Sequence, residues 1–193
     1  MRKNRTLSIT VTAVMTAIGT VIYMVFPEIP LLPSAEYLKM DFSDIPALLS
    51  GILLGPLYGV AVEIIKNVIH LVKSTTFGIG ELINIGLGSS LVLSLTGFMK
   101  LFSKVFKKDG FSFKVYIIST ALTVVTSVFT GWLLNTLLTP VYFAIMGFPI
   151  TVHTVFAGVL GSTVLNTVKA SLNVLPFYPV YSACYKAFIK ICH

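Results

Sequence analysis

Lys169 and Asn166 lie one helical turn apart in an apolar stretch, Ser-Thr-Val-Leu-Asn-Thr-Val-Lys-Ala-Ser over 162–171. An ammonium inside such a stretch is costly to bury and requires a partner or a ligand. Other unusual polar groups are Asn135 in a later part of an apolar run, the pair Glu81 and Asn84 at the start of another, and Asp41 with Asp44 just before a third. A second stripe, Glu63, Lys66, Asn67 and His70, has the three- and four-residue spacing of one helix face. The stripe reads as an internal Glu63–Lys66 ion pair, with a proton relay as the alternative. Bond-making machinery is not legible. The sequence has no GxxxxGK[ST] phosphate loop and no Ser-His-Asp order, and its three histidines are scattered. Cys184 and Cys192 are expected near the inner face, where thiols stay reduced. No metal site and no enzymatic activity are expected, so energy for any transport must come from a partner or an ion gradient.

The elements that position these residues are set by the solvent. A chain of 193 residues that is 55% hydrophobic and 11% charged, with mean hydropathy +0.92, belongs in a bilayer rather than in water. Apolar runs at 7–26, 79–99, 115–138 and 158–185 approach or exceed the roughly 20 helical residues that cross the hydrocarbon. The first run follows Arg2, Lys3 and Arg5 as a secretory signal would. It is longer than a signal core and lacks a small-x-small cleavage site before Pro27, so it is expected to stay as helix 1.

Charge gives the topology. Ten of the 14 basic residues cluster at 2–5, 100–114 and 186–190, which the positive-inside rule places in the cytoplasm. The acids Glu28, Glu36, Asp41, Asp44 and Glu81 fall in the intervening segments, which then face outward. The 100–114 loop stays inside only if the apolar block 44–73 turns back on itself. Gly55, Pro56 and Gly59 supply that turn. The expectation is a single all-α integral membrane domain over 1–193, with six transmembrane helices and both termini cytoplasmic. The helices fall near 6–26, 43–55, 57–73, 79–102, 113–138 and 161–190. Helix 2, about 20 Å long at 1.5 Å per residue, is too short to cross unaided. A short outer helix is expected before Gly161, a kink at Pro176 and Pro179, and an irregular outer loop through Pro140, Gly147 and Pro149. In this arrangement the polar groups converge on a pocket open to the outside.

Each polar group also has a purely structural reading. Asn84 and Asn135 can join helices by hydrogen bonds worth about 0.6 kcal/mol. Asp44 before Ile-Pro-Ala-Leu reads most simply as a helix N-cap. Lys169 can pair with Glu81 or Glu63.

Four segments carry a family resemblance: Leu-Lys-Met-Asp-Phe-Ser-Asp-Ile-Pro-Ala-Leu-Leu at 38–49, Leu-Gly-Pro-Leu-Tyr-Gly at 54–59, Glu-Ile-Ile-Lys-Asn at 63–67 and Gly-Glu-Leu-Ile-Asn at 80–84. With them the chain resembles the substrate-binding S-component of an energy-coupling-factor (ECF) vitamin transporter, in its riboflavin-specific branch. The Asn-Thr-Val-Lys of helix 6 matches that family in spacing, and the residues around Asn135 depart from it. The resemblance implies capture of riboflavin at the outer face, then docking on a transmembrane coupling subunit driven by two cytoplasmic ATPases. It also implies toppling of the whole subunit in the membrane for release. Riboflavin is then the transported ligand, and no cofactor is implied. Asn135, Asn166 and Lys169 correspond to family binding residues; Asn84, Glu81, Met40 and Asp41 complete the expected site. A flavin suits such residues, because its pyrimidine edge and ribityl hydroxyls match amides and an ammonium. Its benzenoid end needs apolar walls, for which Leu38, Met40, Tyr142, Phe143 and Phe148 are available; the aromatics read equally as interfacial anchors. Ala13 and Ala17, flanked by Thr12, Thr16 and Thr20, form a small-residue face on helix 1. The resemblance makes that face the contact with the coupling subunit, and internal helix packing is the alternative. Three other readings stay open: an S-component for another vitamin, an intramembrane enzyme using Glu63 and His70, and a structural assembly protein without a small ligand.

Overall fold

The computed structural model describes residues 5–25, 29–30, 39–40, 42–107 and 112–192. Asp41, Leu38, Glu28 and Glu36 lie outside them, as does the side chain of Met40. The helices are α1 (Arg5–Val25), α2 (Ile45–Leu54), α3 (Pro56–His70), α4 (Ile79–Phe106), α5 (Phe113–Met146), α6 (Val152–Val174) and α7 (Tyr178–Cys192). Two-residue strands, β1 (Ile29–Pro30) and β2 (Lys39–Met40), pair antiparallel between α1 and α2. Among the described residues, α1, α4, α5 and α6 are long and apolar enough to cross a membrane, and α2 is a shorter apolar helix.

Between α2 and α3 the chain reverses at Gly55, whose φ of 119° is open to glycine and strained for other residues. Pro56 then starts α3, where the missing N–H costs no helical bond. This hairpin lays α3 against α1, α2 and α4, while α4 packs along α5 and α5 along α6. Leu48, Val62, Val92, Leu95, Val115 and Val174 are among the side chains of the apolar core.

Two boundaries differ from expectation. Helix 5 was expected to stop near 138, but α5 runs through Pro140 to Met146 and closes at Gly147. Pro140 removes one backbone donor, to the carbonyl four residues before it; the helical turns on both sides persist in spite of that loss. The second difference lies in the last helix. No break occurs near Gly161: α6 is continuous from Val152, opened by a reciprocal Thr151–Thr154 capping box. The interruption expected as a kink at Pro176 is instead a 3-10 turn over Leu175–Phe177 that separates α6 from α7. A helix end inside the bundle leaves carbonyls without backbone donors. Two tyrosines supply them: the Tyr116 hydroxyl donates to the Val174 carbonyl, and the Tyr181 hydroxyl to the Asn173 carbonyl at 3.0 Å.

Candidate functional site: a polar cavity at one end of the bundle

A cavity of about 490 Å³ is bounded by the C-terminal ends of α1 and α3, the start of α4, the later turns of α5 and the middle of α6. That volume is in the range of small-molecule sites, roughly 300–1,000 Å³. Asn84, Glu81, Asn135, Asn166 and Lys169 all line it, so five residues from three helices share one wall. Tyr142 and Phe143 contribute aromatic surface; Phe148 does not border the cavity but packs edge-on against Phe143 at 5.7 Å.

Asn166 is buried, and its Nδ2 has no hydrogen-bond partner among the described residues. A buried amide donor in that state is costly unless something enters to accept from it. Its placement depends on Gly131 of α5: a Cβ there would lie 2.5 Å from Asn166 Nδ2 and 3.2 Å from Leu87. Asn135, one turn further along α5, donates from Nδ2 to the Gly131 carbonyl at 2.8 Å.

Lys169 is held from behind. Its Nζ donates to Asn84 Oδ1 at 2.7 Å and lies 3.3 Å from Asp44 Oδ2. Asn84 in turn donates to Asn67 Oδ1 at 2.9 Å, and Asn67 to the Glu63 carbonyl at 2.8 Å. The other carboxylate oxygen of Asp44 meets Lys66 Nζ at 2.5 Å, and Lys66 is also 3.0 Å from Glu63. Asn173 adds a hydrogen bond to Asp44 Oδ2 at 3.0 Å. Two ammonium groups and the carboxyl groups of Asp44 and Glu63 are thus buried beside one another, and buried charge is tolerable only when it is paired in this way.

This corrects two expectations. Among the described residues the carboxylate beside Lys169 is that of Asp44, in place of the expected Glu81 or Glu63. Asp44 does precede α2, but its side chain makes no capping hydrogen bond. Charge-assisted bonds to two ammonium groups outweigh a bond to a neutral backbone N–H. The Glu63–Lys66 pair is present, widened by Asp44 into a network.

Glu81 is engaged elsewhere. Its Oε1 is 2.9 Å from His70 Nδ1, and its Oε2 accepts from the Ser74 hydroxyl at 2.8 Å. His70 stacks on Tyr23 of α1 with ring centroids 3.7 Å apart. Glu63 does not line the cavity while His70 does, so the two do not meet as an acid-base pair over it. Tyr23, Lys73, Thr139 and Ser162 also border the cavity, and sequence reasoning did not single them out. Thr139 and Ser162 carried a signal, each four residues from a candidate asparagine on its own helix. Tyr23 carried none.

On α1, Ala13 and Ala17 are exposed, whereas Thr16 and Gly19 are buried. The small-residue face therefore divides: threonine and glycine pack inward, and both alanines face away from the bundle.

Residues 7–182 match the family described as ECF transporter, substrate-specific component. The chain belongs to that family. The riboflavin transporter FmnP of Bacillus subtilis (strain 168) is 35% identical over 106 residues, 53% of this chain and 52% of that protein. Riboflavin transporter RibU of Staphylococcus aureus (strain TCH60) is 35% identical over 94 residues, 49% and 48% of the two chains. RibU of Lactococcus lactis subsp. cremoris (strain NZ9000) is 28% identical over 173 residues, 86% and 81%. The chain therefore spans about half the length of the first two relatives and most of the third. A solved structure described as "Structure and mechanism of the S component of a bacterial ECF transporter" superposes with TM-score 0.73 over 98% of this chain and 99% of that one. At 22% identity that likeness establishes the fold. As a family member with several apolar helices, this S-component is a multi-pass membrane protein.

Proposed function

We propose that this S-component binds riboflavin in the α1–α3–α4–α5–α6 cavity and delivers it for ATP-driven uptake by a transmembrane coupling subunit and two cytoplasmic ATPases. The observation that carries the reading is the cavity wall itself: an Asn166 Nδ2 unpartnered among the described residues, Asn135 and a pre-held Lys169 beside Tyr142 and Phe143. Amide and ammonium donors suit the acceptor-rich pyrimidine edge of a flavin, and the aromatic side chains suit its ring system. The names of three relatives supply the vitamin.

In this reading the chain is one domain with six membrane crossings, α6 and α7 forming the last. The basic residues Lys100, Lys104, Lys107 and Lys186 mark the cytoplasmic end, with both termini on that side. The cavity, at the opposite end of α4, then faces outward. Met40 and Asp41 complete the site from the first loop, and Glu81 braces it through His70. The exposed Ala13 and Ala17 form the surface for the coupling subunit, where small residues allow close helix approach.

Titration of the purified chain with riboflavin, followed by quenching of flavin fluorescence, tests the ligand. Saturable one-to-one quenching is expected. Fluorescence that stays unquenched at micromolar protein overturns riboflavin as the ligand.

A further inference from the structure

Asp44 is not among the residues that border the cavity and is 1% exposed, yet it touches Lys169, a buried lysine of the cavity wall. Among the described residues, its contact with the cavity wall is the one to Lys169. We infer that Asp44 is the positioning residue of the binding lysine, fixing the Lys169 ammonium against the wall and neutralising its charge before the ligand arrives. This rests on the riboflavin reading above and deepens it.

The geometry assigns the two carboxylate oxygens different tasks. Oδ1 serves Lys66 at 2.5 Å, while Oδ2 serves Lys169 at 3.3 Å and is itself steadied by Asn173 at 3.0 Å. Asn84 holds the same ammonium from the α4 side at 2.7 Å. A lysine side chain has four carbons of free rotation, and a ligand that had to order them would bind more weakly. Anchoring between Asp44 and Asn84 removes that cost in advance. The second consequence is electrostatic. Among the described residues, Lys66, Lys73, Lys169 and the His70 imidazole stand with Asp44, Glu63 and Glu81 in the cavity wall and the network behind it. The Asp44 carboxylate beside the Lys169 ammonium offsets its pull on net charge, which suits an uncharged ligand rich in acceptors. Without Asp44 the balance shifts by one positive charge at low dielectric, which favours an anion.

Affinities of the purified chain for riboflavin and for its 5′-phosphate test the assignment, using Asp44→Asn, Lys169→Met and the double variant. Asp44→Asn is expected to weaken riboflavin binding by about tenfold or more and to shift the riboflavin-to-phosphate affinity ratio toward the phosphate. Simple loosening of the fold would lower both affinities and leave their ratio alone. In the Lys169→Met background, Asp44→Asn is expected to cost little further affinity, because its route to the ligand is already gone. A wild-type chain that binds no flavin overturns the functional reading and this inference with it. A wild type that binds, with losses that multiply in the double variant, overturns the role of Asp44 alone. If Asp44→Asn does not fold, Glu63→Gln combined with Lys66→Met decides the matter. That variant removes the other two charged groups of the network and leaves Asp44, Lys169, Asn84 and Asn173 in place, so it is expected to keep wild-type affinity and ratio. A loss as large as that of Lys169→Met would show that the network as a whole holds the site.

Discussion

Asn166 and Lys169 share a face of α6, but removing them has different consequences for the protein. The Asn166 Nδ2 gives up no hydrogen bond within the described residues when it is deleted, so Asn166→Ala relieves an unsatisfied donor in the empty protein. Affinity for riboflavin is expected to fall by about tenfold, the scale of one lost hydrogen bond of 1–1.5 kcal/mol, with the melting temperature unchanged or raised. Lys169→Ala removes the ammonium that Asn84 and Asp44 both hold. It is expected to cost affinity and also stability, because among the described residues Asp44 then keeps Lys66 alone as its cation. Fluorescence titration and thermal unfolding on the same samples separate the two cases. An Asn166→Ala chain that melts much lower without losing affinity would make this asparagine a structural joint instead.

At the scale of elements, the interruption between α6 and α7 is held by side chains from elsewhere in the bundle. Tyr116→Phe keeps the ring against Tyr178 and Tyr181 and removes the hydroxyl that donates to the Val174 carbonyl. A buried carbonyl left unpaired costs about 1–3 kcal/mol, so the melting temperature is expected to drop while riboflavin affinity, set at the other end of α5, stays the same. How much of this was legible in the sequence follows from how local each signal is. Gly55 and Pro56 announce the α2–α3 reversal by backbone chemistry alone, and the run of apolar residues announces α4. Pro140 misled because a proline does not end a helix whose flanking turns hold it. At Asp44 the N-cap position was readable, but its carboxylate is used by Lys169, far away in sequence, and no local pattern carries such a pairing. Tyr23 reaches the cavity for the same reason unseen, through a stack on His70 that depends on how α1 lies against α3. The candidate asparagines and Lys169 were found because a buried polar group in an apolar span is anomalous wherever it occurs. On α1, exposure of Ala13 and Ala17 leads to a separate expectation for the proposed docking face. Ala13→Leu and Ala17→Leu add bulk away from the cavity, so riboflavin affinity should hold while uptake by cells carrying the coupling module falls several-fold, since close helix approach there depends on small side chains. Normal uptake in both variants would remove that face from docking.

For the whole molecule, the position of the cavity ties ligand binding to global stability. Its walls come from α1, α3, α4, α5 and α6, so a flavin bound there as proposed would connect helices that pack mainly with their neighbours. A ligand that binds only the folded chain raises unfolding free energy by RT ln(1 + [L]/Kd), about 2.7 kcal/mol at a hundredfold excess over Kd. Thermal unfolding of the detergent-purified protein is therefore expected to shift upward with riboflavin concentration, continuing to rise logarithmically past saturation. At one fixed riboflavin concentration the shift should be smaller for Asn166→Ala by the amount its Kd has risen. It should match the wild type for Tyr116→Phe, whose unliganded melting temperature starts lower, and for Ala13→Leu, which lies outside the cavity. A flavin-induced shift that is equal in wild type and Asn166→Ala would mean that the stabilising ligand sits somewhere other than this cavity, whatever the fluorescence titration shows.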